Sequence, residues 1–331
     1  MLNHSEILKA VNLSCSSSCK TGRQIGWKVL QNEPMGKHTT FHIGGPCDFY
    51  IEVKTITELK QLVKLCFTEK IPYQIIGFGS NILVKDGGIR GIVIKLVDDF
   101  YSFNFKGNCI IAVGGGCALQ LFAKKCVDND LSGTELFIGI PGTIGGALIM
   151  NAGIKEGNIG SLVKSVTTID EKGEIRKIEK KSLKFFYRSS NIPQKSIIIS
   201  AEFLLSEKAL LKKNGKNSTI KNSNRLMQYR TETQPVGSYN AGCIFKNPQG
   251  DYAARLIDEA GMKGASIGGA VVSKIHANFI NNTGTATAED VLSLIEKIQK
   301  KVEEKFNKKL ELEIKVIGEE RKIVDDKTIK G

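Results

Sequence analysis

The sequence predicts a mixed α+β protein of about two domains, and three observations predict it. The chain has 331 residues, which on length alone suggests about two domains. Strand-length apolar runs are interspersed with amphipathic helical stretches rather than segregated from them. A polar, Lys/Asn/Ser-rich stretch from Lys208 to Asn224 breaks the pattern and is the best candidate boundary.

The elements follow in order. Ile56, Leu59, Leu62, Val63 and Cys66 recur at helical spacing, so Ile56 to Phe67 reads as a helix. Tyr73–Ile76 is a short strand running into the tight turn Gly77-Phe78-Gly79-Ser80-Asn81. Gly91–Leu96 and Cys109–Val113 read as strands, the second entering Gly114-Gly115-Gly116, and Ala118–Val127 as a helix. Leu131–Gly153 is glycine-rich. Leu162–Ile169 and Ile175–Ile178 are strands about the turn Glu171-Lys172-Gly173, and Ile197–Leu205 is another. Beyond the polar stretch, Ala253–Ala260 reads as a helix stopped by Gly261. Val291, Ile295, Ile298, Val302 and Phe306 mark a longer helix. Leu310–Val316 alternates strictly, with Glu311, Glu313 and Lys315 on its polar face.

Composition excludes several classes. With 41% hydrophobic and 24% charged residues the chain is neither disordered nor fibrous. Residues 1–20 carry no apolar run of the secretory kind, and the uncharged stretch Leu136–Ile154 holds too many glycines for a lipid-spanning helix. The net charge of +13 comes from 47 Lys+Arg against 34 Asp+Glu, much of it in surface-like lysine runs. No nucleic-acid motif accompanies those runs, so a solvated basic surface or small anionic ligands are the better readings. The eight cysteines are scattered and read as reduced thiols, mostly buried, and the four histidines are too dispersed for a metal cage; no metal is expected.

The glycine clusters suggest a backbone brought close to a phosphate-bearing ligand, since a glycine amide can approach where a side chain would block it. None fits a common template. Ile82 stands where the dinucleotide fingerprint needs its third glycine, and no Gly-Lys-Ser/Thr follows a glycine loop.

Taken together, the clusters are nevertheless recognisable. Gly77-Phe78-Gly79-Ser80-Asn81-Ile82-Leu83 and Ile140-Pro141-Gly142-Thr143-Ile144-Gly145-Gly146-Ala147, with Asn151-Ala152-Gly153, resemble the FAD-binding domain of vanillyl-alcohol-oxidase-type (PCMH-type) flavoproteins. Tyr187-Arg188-Ser189-Ser190, Asn240 through Pro248, and Leu312 through Gly318 narrow the resemblance to the UDP-N-acetylenolpyruvoylglucosamine reductase (MurB) family. The ordered motifs run from about Thr39 to Gly318. The short connection from Arg188 to the Ile197 strand resembles the type II subgroup, so no substrate-capping tyrosine is assigned.

The resemblance implies an α+β, two-subdomain FAD-binding domain over 39–206, with residues 1–38 as an extension given no role. A linker over 207–224, a C-terminal substrate domain over 225–318 and a polar tail over 319–331 would follow. It implies non-covalent FAD held by Gly77, Phe78, Gly79, Ser80, Asn81, Ile82, Gly116, Pro141, Gly142, Thr143, Gly145, Gly146, Ala147, Asn151 and Gly153. NADPH would be the co-substrate and the enolpyruvyl ether of UDP-N-acetylglucosamine the substrate, in cytoplasmic peptidoglycan precursor synthesis. No nucleic acid, membrane insertion or obligate protein partner is implied.

Three residues carry the implied chemistry. Arg188 would fork onto a carboxylate that becomes more negative in the reaction. Glu313 matches the family's catalytic glutamate and Glu311 its non-catalytic neighbour. Cys243 stands where most members carry Ser as proton donor. A thiol, with an ordinary pKa of ~8.5, is a far stronger acid than a hydroxyl. A nearby Arg188 would favour thiolate, so activity should fall toward alkaline pH. Arg230, Lys246 and Asn247 are expected substrate contacts, whereas Arg255, His276 and Asn278 read better as ordinary side chains. Two rivals remain: an alcohol-oxidising flavoprotein with a covalent link, for which His42 beside Gly44-Gly45 is the candidate, and a basic nucleic-acid-binding protein.

Overall fold

The computed structural model describes residues 4–17, 27–207 and 217–321. They fall into two compact units. The first holds the described residues up to Leu30, Tyr50–Phe78 and Gly91–Val236; the second holds Gln31–Phe49, Gly79–Arg90 and the described residues from Gly237 on. The chain therefore passes between the units within the loop after Tyr73–Ile76, between Phe78 and Gly79.

In the first unit, α1 (His4–Ser17) buries Ile7 and Val11 and packs on α2 (Ile56–Thr68). The N-terminal extension thus contributes to a core. Thr55 starts α2 by accepting a hydrogen bond from Glu58 N at 3.2 Å, the N-cap arrangement its residue type favours. Strand Tyr73–Ile76 pairs in parallel with Ile89–Leu96. A five-stranded antiparallel sheet runs in the order Ile175–Glu179, Val163–Ile169, Ile197–Leu204, Ile110–Gly114, Phe103–Gly107. Its buried face packs with α3 (Leu119–Asp128) and α4 (Ile144–Met150) in a core containing Val113, Phe122, Leu148, Val166 and Phe203. The rings of Phe122 and Phe203 lie 4.7 Å apart. Residues 217–224, read from composition as linker, are instead the opening turns of α5 (Asn217–Thr233); their polar composition reflects an exposed helix face, with Thr219 and Ser223 buried.

In the second unit, α6 (Ala253–Glu259) and α7 (Ala288–Phe306) pack with the three-stranded sheet Ser266–Ile267, Ala270–Val272, Ile280–Asn282. The stripe Val291, Leu294, Ile295, Ile298, Val302 is buried, as its spacing predicts. The alternating segment after α7 departs from expectation. Only Lys315–Ile317 is a regular strand, paired in parallel with Ile82–Val84; Leu310–Ile314 is held by a single bridge, Phe245 to Leu312, and scattered backbone bonds. Its neighbour is a turn-rich segment, not a strand, so a continuous ladder has nothing to form on.

The start of α7 has an unusual support. Thr287 and Asp290 form a reciprocal capping box, and both carboxylate oxygens of Asp86 accept from Ala288 N and Glu289 N at 2.9 and 3.0 Å. A carboxylate at a helix N-terminus both satisfies orphan amides and meets the positive end of the helix dipole. Asp86→Ala should therefore lower unfolding stability by about 1–2 kcal/mol, read by urea titration. A change within error would show that water replaces the carboxylate at no cost.

Candidate active site

The first unit brings two glycine turns together. A Cβ at residue 77 would lie 2.7 Å from Thr143 Oγ1, so the turn backbone packs against the Thr143 side chain only because residue 77 is glycine. Around Thr143 the chain is cross-tied: Leu119 N donates to Gly142 O, Ile144 N to Cys117 O and Gly145 N to Gly115 O, at 2.8–2.9 Å. Gly146 N donates to Thr143 Oγ1 and Ala147 N to Thr143 O. The amides of Ile144, Gly145, Gly146 and Ala147 are thus engaged inside the protein. Those of Phe78, Gly142 and Thr143 donate to no protein acceptor among the described residues. Of the predicted cofactor residues, Gly145 and Gly146 offer closeness, Phe78, Gly142 and Thr143 offer donors. Gly116 is buried, with its amide on Phe100 O.

Arg188 sits in the same unit, in the two-residue turn between Phe185–Phe186 and Ser189–Ser190. Its φ of 56° is left-handed, which costs a non-glycine residue on the order of 1 kcal/mol and persists only where surroundings impose it. Three hydrogen bonds supply those surroundings. Asn151 Nδ2 donates to Phe186 O at 2.9 Å, Ser190 Oγ to Ile149 O at 3.3 Å, and Arg188 Nη1 to Gly153 O at 3.2 Å. Asn151 is buried and its Oδ1 also accepts from Gly160 N, so this predicted cofactor residue acts as a bracket for the Arg188 turn. Arg230, in the last turn of α5, packs beside Gly139.

The second unit holds the other predicted residues. Gly79 has φ 63°, and a side chain there would meet His38 O at 2.3 Å. Asn81 Nδ2 donates to Glu313 O at 3.2 Å and Lys315 N to Asn81 O at 2.9 Å. Glu313 N donates to Ile244 O and Lys246 N to Glu311 O, both at 2.8 Å, so the Cys243 segment lies along the Glu313 segment. The turn before Cys243 is closed by Gly242 N donating to Asn240 Oδ1 and by Thr40 Oγ1 donating to Asn240 O. Ser80 borders it, its carbonyl 4.0 Å from where a Gly242 side chain would be. Ser80, Asn81, Cys243 and Glu313 are thus brought together. Lys246 pairs with Glu311 at the surface, and Asn247 Oδ1 accepts from Ala253 N at the start of α6.

Cys243 and Cys109 differ from the other described thiols. No disulfide joins the six described cysteines; burial pushes Cys66 and Cys126 up to about 12 and Cys47 to about 11, whereas Cys243 and Cys109 are only partly buried. His42 is exposed and stacked on Tyr239, ring centroids 3.9 Å apart.

Comparison with known proteins decides the family. A profile for the UDP-N-acetylenolpyruvoylglucosamine reductase C-terminal domain matches residues 234–317, and one for an FAD binding domain matches 47–179. UDP-N-acetylenolpyruvoylglucosamine reductase of Alkaliphilus oremlandii is 41% identical, over 88% of this chain and 94% of the relative. That of Clostridium botulinum is 44% identical, over 88% and 93%. The chain belongs to the UDP-N-acetylenolpyruvoylglucosamine reductase family. It is an FAD-containing oxidoreductase. The crystal structure of UDP-N-acetylenolpyruvylglucosamine reductase (MurB) from Thermus caldophilus superposes with a TM-score of 0.75 at 34% identity, covering 88% of this chain and 98% of that one. The donor set fits FAD: unengaged amides in a glycine-walled cradle suit a diphosphate.

Two residues escaped the sequence reading. Lys95 donates to Gly77 O and lies over the Phe78 ring, 4.9 Å from its centroid. Asn278, read as a solvated side chain, is 2% exposed; Oδ1 accepts from Phe245 N at 2.9 Å and Nδ2 donates to Phe245 O at 2.8 Å, fixing the segment after Cys243. His276 is structural, its Nδ1 accepting from Asn278 N while burial holds its pKa down; Arg255 pairs with Asp251 and Glu259.

Asn278→Ala would strand two buried backbone groups, each costing about 1–3 kcal/mol, and should destabilise by about 2–4 kcal/mol in denaturant titration. An unchanged midpoint would contradict this bracket. In iodoacetamide labelling at pH 8, the native protein should modify Cys243 while Cys66 and Cys126, protonated at that pH, react only after unfolding. Equal labelling of all three in the folded protein would contradict the burial described.

Proposed function

We propose that this chain reduces the enolpyruvyl ether of UDP-N-acetylglucosamine to the lactyl ether of UDP-N-acetylmuramate, with NADPH as reductant, in cytoplasmic peptidoglycan precursor synthesis. The observation that carries the reading is the backbone pairing of the Cys243 segment with the Glu313 segment, which supports assigning the thiol and the carboxylate to one proton-delivery site. The names of its relatives support the substrate.

Bound FAD would supply the hydride chemistry that links NADPH to the vinyl C3 of the substrate. Phe78, Gly142 and Thr143 amides are assigned to its diphosphate, held without covalent linkage. Hydride arrival at C3 sends the π electrons to C2 and the attached carboxylate, so an enolate-like dianion must be stabilised as it forms. Arg188 is given that task. Its guanidinium stays charged at all working pH and can place two parallel N–H bonds on a carboxylate. The hydrogen bond from Arg188 Nη1 to Gly153 O holds the side chain beside the turn.

Cys243 then gives the S–H proton to C2, completing the lactyl ether, and the thiolate left behind recovers a proton from solvent. Glu313 orients the donor and, when protonated, adds a hydrogen bond to the dianion. Arg230, Lys246 and Asn247 are assigned to the UDP portion. For Lys246 and Asn247 this requires exchanging present partners, Glu311 and the α6 amide, for ligand oxygens.

Rapid mixing separates the two half-reactions. Cys243→Ala should lose its flavin absorbance to NADPH at the parental rate, yet turn over about 10²–10⁴-fold more slowly. Cys243→Ser should recover much of the turnover. Parental turnover in Cys243→Ala would remove Cys243 as the proton donor.

A further inference from the structure

Lys95 lies on the strand Ile89–Leu96 and has no part in the proton chemistry, yet its ammonium is half-buried beside the cofactor turn. It donates to the Gly77 carbonyl and rests on the face of Phe78. Withdrawal from water holds it down to about 8, with Glu52 opposing the shift, so the placement is maintained against a desolvation cost. All of these groups belong to the first unit.

The consequence follows from peptide geometry. No peptide bond among the described residues is cis. In a planar trans unit the carbonyl and the following N–H point in opposite directions. Fixing the Gly77 oxygen on Lys95 therefore turns the Phe78 N–H away from Lys95. That N–H donates to no protein acceptor among the described residues. It belongs to the turn that Gly77 presses against Thr143, whose amide, with that of Gly142, is likewise unengaged. Without the lysine the Gly77–Phe78 peptide could rotate, glycine imposing little restraint.

We propose that Lys95 is a positioning residue for the cofactor: by holding the Gly77 carbonyl it aims the Phe78 amide at the FAD diphosphate. The proposal rests on the FAD reading above. Lys95 acts through a neighbour's backbone, so its effect is confined to ligands that carry the diphosphate.

The test is equilibrium binding to the apoprotein. FAD is followed by quenching of its fluorescence, riboflavin likewise, and ADP by its protection against thermal unfolding. Lys95→Met should weaken FAD and ADP about tenfold to a hundredfold, the range for losing an aimed hydrogen bond to a charged group. Riboflavin affinity and the apoprotein melting midpoint should stay unchanged. A second variant, Phe78→Pro, removes the N–H itself, at a position whose φ is not left-handed. It should show the same loss, and Lys95→Met with Phe78→Pro together should be no worse than Phe78→Pro alone. Multiplying losses in the double variant would overturn the proposal, as would a Lys95→Met protein that binds FAD like the parent or loses riboflavin equally. A parent that takes up no FAD would remove the cofactor reading and this inference with it; failure of the variants alone removes only the inference.

Discussion

Close approach to a glycine backbone is the constraint on which the rest depends. Gly77 lies against the Thr143 side chain and Gly79 against the His38 carbonyl, with no space for a methyl group at either unless a neighbour shifts. Because residues 77 and 79 lack side chains, one short loop can serve two compact units: its first half closes the amide cradle of one, and its second half leads into the strand that pairs with Lys315–Ile317 in the other. An alanine at 77 would have to displace the Thr143 hydroxyl that accepts from Gly146 N, and one at 79 the backbone of His38 and Thr39. The cradle therefore depends on the two missing side chains and on the Thr143 side chain packed against one of them.

The segments bearing the side chains proposed for catalysis are held by a different device, buried asparagines that hydrogen-bond backbone on both sides. Asn151 links Gly160 and Phe186 and so fixes the turn that bears Arg188. Asn278 grips both backbone groups of Phe245 two residues after Cys243. Asn282 does the same for Phe41 and the turn at Gly284 and Ala286. A planar amide with two acceptor sites and two donors can satisfy a kinked segment that has left regular secondary structure. Such segments carry Arg188 and Cys243. Rigid placement of a thiol matters more than of a hydroxyl: the stronger acid gives up its proton more readily, and geometry must decide where that proton goes.

Much of this was legible in the sequence, for reasons that differ by element. Amphipathic helices such as Ile56–Thr68 and Ala288–Phe306 declare themselves because one buried stripe repeats at 3.6 residues. The glycine turns were visible as clusters, and their ordered recurrence carried the family resemblance that the identities to known reductases then established. Residues 217–224 misled because a helix with one narrow buried face has the composition of a linker. The alternation of Leu310–Val316 predicted facing correctly, with Leu310 and Ile314 buried, but not the absence of a straight partner strand. Lys95 was illegible in principle, and Asn278, a weak candidate, could not be told from a solvated side chain. Each acts on a backbone group distant in sequence, and no local pattern distinguishes a lysine on a peptide carbonyl from one in water.

The central claim is that a glycine cradle holds FAD in an enzyme that passes reducing equivalents from NADPH to an enolpyruvyl sugar nucleotide. An anaerobic absorbance titration of the purified holoprotein tests it most directly. The account predicts flavin bands that bleach on one equivalent of NADPH and return in full on adding the enolpyruvyl ether of UDP-N-acetylglucosamine, without oxygen. A colourless protein that cannot be reconstituted with FAD would contradict the account at its base. A reduced flavin that oxygen restores and the sugar nucleotide does not would contradict the substrate.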